Sequence, residues 1–171
     1  YITMSIKTII RQSVFDVYRL SYSFHLSYIR TRSELPIILN KKGLIGIGVE
    51  VGVWKGDFSN FLLSKWKGEK LYSVDPWKNY SKGEYIDAMN ISQSSFDNIF
   101  ESVKNILKKY GKHSEIVRND SVNASLGFKN SCLDFVYLDG RHHYEGVKED
   151  LESWYPKVKP GGILCGHDYL N

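Results

Sequence analysis

The stretch GIGVEVGVWKGDFSNFLL, residues 46–63, predicts a strand that runs through a glycine turn into a helix. Apolar residues alternate with glycines and one glutamate between Ile45 and Val53, which is typical of a strand with one face almost free of side chains. Phe58 and Leu62 then recur at helical spacing. Such a turn can hold a nucleotide, but the full G-x-G-x-x-G spacing of dinucleotide-binding proteins is absent. The ligand of the turn must therefore be inferred from the rest of the chain.

Strand and helix patterns alternate along the rest of the sequence. Four further strands are predicted at KLYSVD, SEIVRND, LDFVYLD and GGILCG, with amphipathic helices between the strands. Mostly apolar strands separated by helices predict an α/β fold: a mainly parallel sheet, built from right-handed crossovers, with helices on both faces. Ligands of such sheets bind beyond the carboxyl ends of the strands, near the point where the strand order reverses.

Two regions of the chain differ in pattern. Apolar residues at helical spacing predict an N-terminal helical arm, residues 1–40, whose helices end near Pro36. Residues 41–171 form the predicted α/β domain, which would bind the nucleoside ligand. The sequence stops soon after the fifth strand, with GGILCGHDYLN, so this domain is expected to be incomplete at its C-terminal end.

Composition favours one compact globular domain, because 42% of the 171 residues are hydrophobic and 25% are charged. The net charge of +4 is mild, and its basic excess before the glycine turn is too common a feature to indicate nucleic acid. No apolar run approaches the roughly 20 residues that a membrane span needs. Cys132 and Cys165 lack C-x-x-C spacing, which favours buried free thiols and a cytoplasmic location.

Polar residues follow the first two predicted strands. Gly52 lets backbone N–H groups approach a ligand closely, while Glu50 suits a cationic group better than a phosphate. Asp75 closes the second strand, where a carboxylate can accept hydrogen bonds from both hydroxyls of a ribose. Trp77 could stack on a base or simply pack in the core.

The later strands also end in polar residues. Asp120 and Ser121 follow the third strand, where they could recognise the exocyclic amine of adenine or only cap the next helix. Asp139, His167 and Asp168 follow the last two strands and offer oxygen and imidazole ligands for a divalent ion such as Mg²⁺ or Mn²⁺. The alternative is a loop in which His167 only makes hydrogen bonds.

Four segments, taken in order, carry a resemblance to a known family: VEVGVWKGDFS, LYSVDPW, RNDSV and VYLDGRHHYEGVKEDLESWYPKVKPGGILCGHDY. They resemble the successive motifs of class I S-adenosylmethionine-dependent methyltransferases. The closest branch is that of the metal-dependent sugar O-methyltransferases of macrolide (macrocin) and aminocoumarin pathways. The resemblance covers residues 44–169 and implies a Rossmann-like sheet and S-adenosylmethionine as cofactor. A cofactor with a cationic ammonium and no phosphate agrees with the acidic glycine turn.

The resemblance also implies where the cofactor lies. The methionine end would contact Glu50 and Gly52, and the ribose would contact Asp75. The adenine would be surrounded by three residues: Trp77, Asp120 and Ser121.

The resemblance further implies the catalytic chemistry. His142 matches the histidine of the family's D-G-x-H-x-Y segment and would act as the general base. Asp139 would be the second catalytic residue. Alternation of side-chain direction argues against both His142 and His143 facing the cofactor. A metal held by Asp139, His167 and Asp168 would lower the pKa of the acceptor hydroxyl. The family has Asp-Asp-Tyr where this chain has His-Asp-Tyr, and imidazole suits Mn²⁺ better than Mg²⁺.

Two functions follow as hypotheses. The first is O-methylation of a hydroxyl on a sugar or other small molecule, with help from a divalent metal. The second is a truncated or degenerate methyltransferase domain that acts as a nucleoside-binding or interaction module. The expected partner is a small-molecule acceptor, with no nucleic acid, and a homo-oligomer is also considered.

Overall fold

The computed structural model describes residues 31–80 and 90–167. The compact unit that holds them begins at Thr31. Most of the predicted N-terminal arm, residues 1–30, therefore lies outside the described residues, as does Asp168.

The described chain contains five strands and five α-helices. The strands are β1 (Ile47–Val51), β2 (Lys70–Asp75), β3 (Ser114–Arg118), β4 (Leu133–Leu138) and β5 (Val158–Gly166). The α-helices are α1 (Leu35–Lys41), α2 (Asp57–Lys65), α3 (Gln93–Leu107), α4 (Ser121–Ser125) and α5 (Tyr144–Trp154). Short 3-10 helices cover Arg32–Glu34, Lys108–His113 and Tyr155–Lys157.

The strands form one parallel sheet in the order β3-β2-β1-β4-β5. The chain builds outward from β1 to β3, then returns to the other side of β1 with β4. The strand order thus reverses between β1 and β4, and a cleft is expected above their carboxyl ends. The predicted Rossmann-like α/β fold is confirmed.

Helices bury apolar side chains on both faces of the sheet. On one face α1 and α2 pack with the sheet through Leu39, Leu62 and Phe135. On the other face α4 and α5 do so, with Trp154 against Val136. Helix α3 buries a third cluster next to the glycine turn. Both faces are therefore closed, and the strand ends remain as the place for a ligand.

The glycine-rich face of β1 is filled by a neighbouring ring. A Cβ atom added to Gly48 would overlap the side chain of Phe135, which lies opposite it on β4. Glycine is required here because the aromatic ring occupies the space of a side chain. This face of the strand therefore belongs to the core.

Pro36 begins a helix, which corrects the prediction that helices end near it. It lies in the first turn of α1, where the missing N–H of proline costs no helical hydrogen bond. Leu35 and Leu39 of that helix are fully buried in the core. Residues 31–40, assigned above to the arm, thus pack with the α/β unit.

Within residues 31–80 and 90–167, no helix has the length and apolar character that would let it cross a bilayer. Cys132 and Cys165 are free thiols, as predicted, and both are half-buried. Burial raises the pKa of the Cys165 thiol to about 12.

Candidate functional site

A cavity of about 1240 Å³ opens above the carboxyl ends of the strands. Its wall includes the segments that follow β1, β2, β3 and β4. The predicted site residues that border it are Glu50, Gly52, Asp75, Trp77, Asp120, Ser121, Asp139 and His142. The topology thus brings the predicted cofactor-binding residues and both predicted catalytic residues to one place.

Gly52 allows the ends of β1 and β4 to meet. Its φ of 89° lies in the left-handed region, and a Cβ atom here would overlap the carbonyl group of Asp139. The backbone N–H of Asp139 donates to Val51 at 2.8 Å, and that of Gly52 donates to Val74 at 2.9 Å. Glycine therefore fixes the position of Asp139 beside the turn.

Asp75 holds the loops that follow β1 and β2. Its carboxylate accepts backbone N–H bonds from Val53 and Trp54, both at 2.9 Å, and from Trp77 at 2.8 Å. Trp54 and Trp77 have positive φ values of 52° and 39°, so these bonds stabilise unusual backbone conformations. Burial raises the pKa of Asp75, while the three N–H bonds oppose that rise. A carboxylate has about four acceptor positions, so one remains for a ligand.

Trp77 packs in the core, and this corrects its predicted role in stacking on adenine. Its side chain is fully buried, with its ring centroid 5.0 Å from that of Phe100. Its indole N–H donates to the carbonyl of Trp54 at 2.9 Å. No face of the ring is open to a base, so the packing alternative is the one observed.

Glu50 lies in the floor of the cavity and is 1% exposed. Ser59 donates a short hydrogen bond to its carboxyl group and also contacts the hydroxyl of Ser73 at 2.9 Å. Burial raises the pKa of Glu50 to about 8; Ser59 opposes this rise, and the neighbouring carboxylates of Asp139 and Asp75 add to it. At pH 7 this carboxyl group is mostly protonated, and a cationic ligand would favour its ionised form.

Asp120 and Ser121 use their side chains within the fold. Asp120 caps α4 by accepting the backbone N–H of Asn123 at 2.9 Å. Burial acts to raise the pKa of Asp120, but the bonds from Asn123 outweigh it and lower the pKa. The Ser121 hydroxyl accepts a hydrogen bond from Trp154 at 2.9 Å. The helix-cap alternative is therefore observed for Asp120, although both residues still border the cavity.

His142 and His143 are both exposed, and both border the cavity. The expectation that they do not both face the cofactor stays a prediction. They differ in their surroundings: a Cβ atom added to Gly146 would lie 2.8 Å from Cε1 of His143. The His143 ring thus lies against the first turn of α5, because that turn presents a glycine. His142 remains the better-placed candidate for a base.

Two of the three predicted metal ligands lie close together. Nδ1 of His167 is 3.7 Å from Oδ1 of Asp139, a separation that a single ion could bridge. Asp168, the third predicted ligand, lies outside the described residues. Among the described residues, no group of three or more side chains is arranged as a metal site.

Two residues at the cavity were not singled out from the sequence. Arg32 reaches the cavity from the 3-10 helix before α1, with Nη1 3.7 Å from Oδ2 of Asp139. Trp54 is half-buried beside Gly52 and packs edge-on against Phe96. Arg32 lies 18 positions before Glu50, and its neighbours in the sequence give no sign that it belongs to a site. Trp54, in contrast, lies inside the glycine turn, and this position could have marked it as a site residue.

The arrangement suits a ligand that carries a positive charge and ribose hydroxyls. The carboxyl groups of Glu50, Asp75 and Asp139 are among those that border the cavity. Such groups favour a cationic part of a ligand, and Asp75 has acceptor capacity left for a hydroxyl.

Comparison with known proteins agrees with this chemistry. Residues 49–169 match the family model described as a methyltransferase domain (Methyltransf_24). The chain belongs to this family of methyltransferase domains. Membership implies S-adenosylmethionine, an adenosine with a cationic sulfonium and ammonium, and the acidic cavity fits that cofactor.

Two curated relatives match most of this domain. An uncharacterized protein of Sinorhizobium fredii, y4gI, is 23% identical over 130 residues, which are 76% of this chain and 13% of that protein. An uncharacterized protein of Acanthamoeba polyphaga mimivirus, R132, is 23% identical over 121 residues, which are 71% of this chain and 50% of that protein. The chain thus spans half or less of the length of these relatives.

Solved structures share the fold. A methyltransferase from Geobacter sulfurreducens has a TM-score of 0.51 at 12% identity, covering 96% of this chain and 70% of its own. A protein from Staphylococcus aureus described as a caffeoyl-CoA O-methyltransferase has a TM-score of 0.55 at 13% identity, with coverages of 95% and 65%. A protein from Methanococcus maripaludis described as an S-adenosylmethionine-dependent methyltransferase has a TM-score of 0.53 at 18% identity, with coverages of 78% and 54%.

The raised pKa of Glu50 predicts how stability depends on pH. The folded state keeps the proton up to about pH 8, whereas the unfolded state releases it near 4.5, so unfolding becomes easier as pH rises through this window. Glu50→Gln cannot ionise and should lose this part of the pH dependence. Its melting temperature should therefore exceed that of the unchanged protein most clearly at pH 8 to 9.

Thermal unfolding followed by circular dichroism from pH 5 to 9 measures this difference. Glu101→Gln removes an exposed carboxylate on α3 and is the matched control. Parallel pH profiles for Glu50→Gln and the unchanged protein would contradict the prediction.

Proposed function

We propose that this domain binds S-adenosylmethionine in the strand-end cavity and transfers its methyl group to a hydroxyl of a small molecule, such as a sugar. One observation carries the proposal. In a chain of the methyltransferase-domain family, the same cavity is bordered by Asp75 and Glu50 on the cofactor side and by Asp139 and His142 beyond β4.

The order of the strands would orient the cofactor. The adenosine would lie above β2 and β3, where the free acceptor position of Asp75 can bind a ribose hydroxyl. The ammonium group would lie near the carboxyl end of β1, above Glu50. The methyl group would then point toward the end of β4, where Asp139 and His142 border the cavity.

Methyl transfer is an in-line displacement at the sulfonium carbon, so alignment of the acceptor oxygen supplies much of the acceleration. The oxygen forms a bond to the methyl carbon while the carbon–sulfur bond breaks. His142 would accept the proton that the hydroxyl loses, because it is exposed at the cavity and a neutral imidazole is a base near pH 7.

A divalent metal would be held by Asp139, His167 and Asp168. When bound, such an ion would lower the pKa of the acceptor hydroxyl. The 3.7 Å separation of Asp139 and His167 supports this part of the proposal. The cytoplasmic location and the homo-oligomer stay predictions.

The proposal predicts separate roles for cofactor binding and proton removal. Calorimetric titration should show micromolar binding of S-adenosylhomocysteine, the demethylated product, and no comparable binding of NAD. His142→Ala should keep that affinity but lower the rate of transfer about 100-fold or more, the usual contribution of a general base. Transfer is measured as S-adenosylhomocysteine released from S-adenosylmethionine across a panel of hydroxylated small molecules.

His143→Ala is the matched control, because its ring lies on α5, and it should keep most of the activity. Loss of activity in the His143 variant alone would reverse the assignment of the base. Absence of S-adenosylhomocysteine binding would contradict the proposed function. Binding without transfer to any acceptor would favour the nucleoside-binding or interaction module.

The metal is tested by removal. Dialysis against a chelator should abolish transfer, and added Mn²⁺ should restore it, while the affinity for S-adenosylhomocysteine changes little. Titration of the dialysed protein with Mn²⁺, followed by its electron paramagnetic resonance signal, measures binding directly. Full activity in the presence of the chelator would rule out the metal's role.

A further inference from the structure

We propose that Arg32 binds an anionic group, a carboxylate or a phosphate, on the methyl acceptor. The acceptor would then be an acidic small molecule, for example an acidic sugar. This inference rests on the proposed function, and it names the class of acceptor for the same cavity.

Arg32 lies on the acceptor side of the cavity. Its guanidinium carbon is 5.0 Å from the ring centroid of Phe58, and its Nη1 is 3.7 Å from Oδ2 of Asp139. Phe58 belongs to the first turn of α2, and Asp139 follows β4. Arg32 is therefore beside the end of β4, where the methyl group would point. Stacking on Phe58 restricts the orientation of the guanidinium plane.

The guanidinium of Arg32 has donor capacity to spare. Its side chain is 48% exposed, and the 3.7 Å approach to Asp139 is longer than the 2.7–2.9 Å of a charge-assisted hydrogen bond. A guanidinium carries five N–H donors in a planar fork that matches carboxylate and phosphate oxygens. The contact with Asp139 thus leaves this fork available to a ligand.

The other two arginines at the cavity make close contacts within the fold, although the buried Nε of Arg141 has no hydrogen-bond partner among the described residues. Arg141 donates to Glu149 at 2.7 Å and to Asp150 at 2.6 Å. Arg118 donates to the Trp77 carbonyl at 2.9 Å and forms a short ion pair with Asp97 of α3. Arginines that connect segments of this fold thus donate hydrogen bonds of 2.6–2.9 Å. The loose contact of Arg32 does not fit such a role.

A buried hydroxyl next to Arg32 also lacks an acceptor. The Tyr137 hydroxyl is buried and has no hydrogen-bond partner of good geometry among the described residues. Tyr137 lies close to Arg32 because both pack on Phe58, whose ring centroid is 5.0 Å from the guanidinium carbon of Arg32 and 4.6 Å from the ring centroid of Tyr137. A buried hydroxyl donor without an acceptor is energetically costly. Acceptor oxygens of a ligand could bind the donors of both Arg32 and Tyr137.

Neutralising acidic groups does not explain Arg32 by itself. Among the described residues, the carboxylate that approaches the Arg32 guanidinium is that of Asp139, at 3.7 Å. A residue that serves only as the partner of Asp139 would form a close, bidentate pair, as Arg–carboxylate pairs usually do. An acidic acceptor would complete the coordination of the guanidinium and hold the reacting hydroxyl near His142.

The inference is tested by the binding of three sugars that differ in charge. Glucose, glucuronate and glucose 6-phosphate are titrated into the full chain with S-adenosylhomocysteine present, and saturation-transfer NMR measures their dissociation constants. We expect one or both acidic sugars to bind about tenfold more tightly than glucose, because hydrogen bonds to charged groups are the stronger kind. The two acidic sugars distinguish a carboxylate from a phosphate.

Three variants assign that preference to Arg32. Arg32→Gln should bind the acidic sugars no more tightly than glucose, and Arg32→Lys should keep part of the preference, since a point charge remains. Lys65→Gln removes a positive charge on α2 away from the cavity and should behave like the unchanged protein. Melting temperatures of all variants show that the fold is retained.

Several outcomes would overturn the inference. These are equal affinity for charged and neutral sugars, absence of binding by both acidic sugars, or an acidic preference that survives in Arg32→Gln. Failure of the proposed function is separate, because it appears as lost S-adenosylhomocysteine binding in the unchanged protein. Arg32→Gln should bind S-adenosylhomocysteine within about threefold of the unchanged protein, since Arg32 lies on the acceptor side.

Discussion

The carboxylate of Asp75 joins the two loops on which the cavity depends. It accepts three backbone N–H bonds, two from the loop after β1 and one from the loop after β2. Both loops contain a tryptophan with positive φ, a conformation that needs support from its surroundings. The same carboxylate keeps an acceptor position for a ligand. A single side chain thus connects the shape of the strand-end cavity with the hydrogen bond that we propose for the ribose.

Sequence patterns were sufficient to predict the sheet and the end of the sheet at which the cavity opens. The segment KLYSVD is β2 from its first residue to its last, and LDFVYLD contains β4 with its final aspartate outside the strand. These strands are apolar and are separated by amphipathic helices, so the spacing of apolar residues along the sequence is enough to locate them. Parallel order then places Gly52, Asp75, Asp120 and Asp139 around one cavity without further information.

The roles of individual side chains could not be predicted in the same way, because they depend on neighbours distant in sequence. Trp77 is buried because α3 covers it, and Ser121 is engaged because Trp154 reaches it from α5. Arg32 enters the cavity because Pro36 starts a helix that packs on the sheet. An aromatic or arginine residue near a strand end is compatible with packing or binding until the tertiary contacts are known.

The proposed role of Asp75 in binding S-adenosylmethionine is tested most directly by calorimetric titration of Asp75→Asn with S-adenosylhomocysteine. An asparagine turns its NH₂ group toward backbone N–H donors, so at least one of the three bonds is lost. We expect about tenfold weaker binding or worse, in a protein that circular dichroism shows to be folded. Affinity equal to that of the unchanged protein, with Glu101→Gln as the charge-matched control, would contradict this role of Asp75.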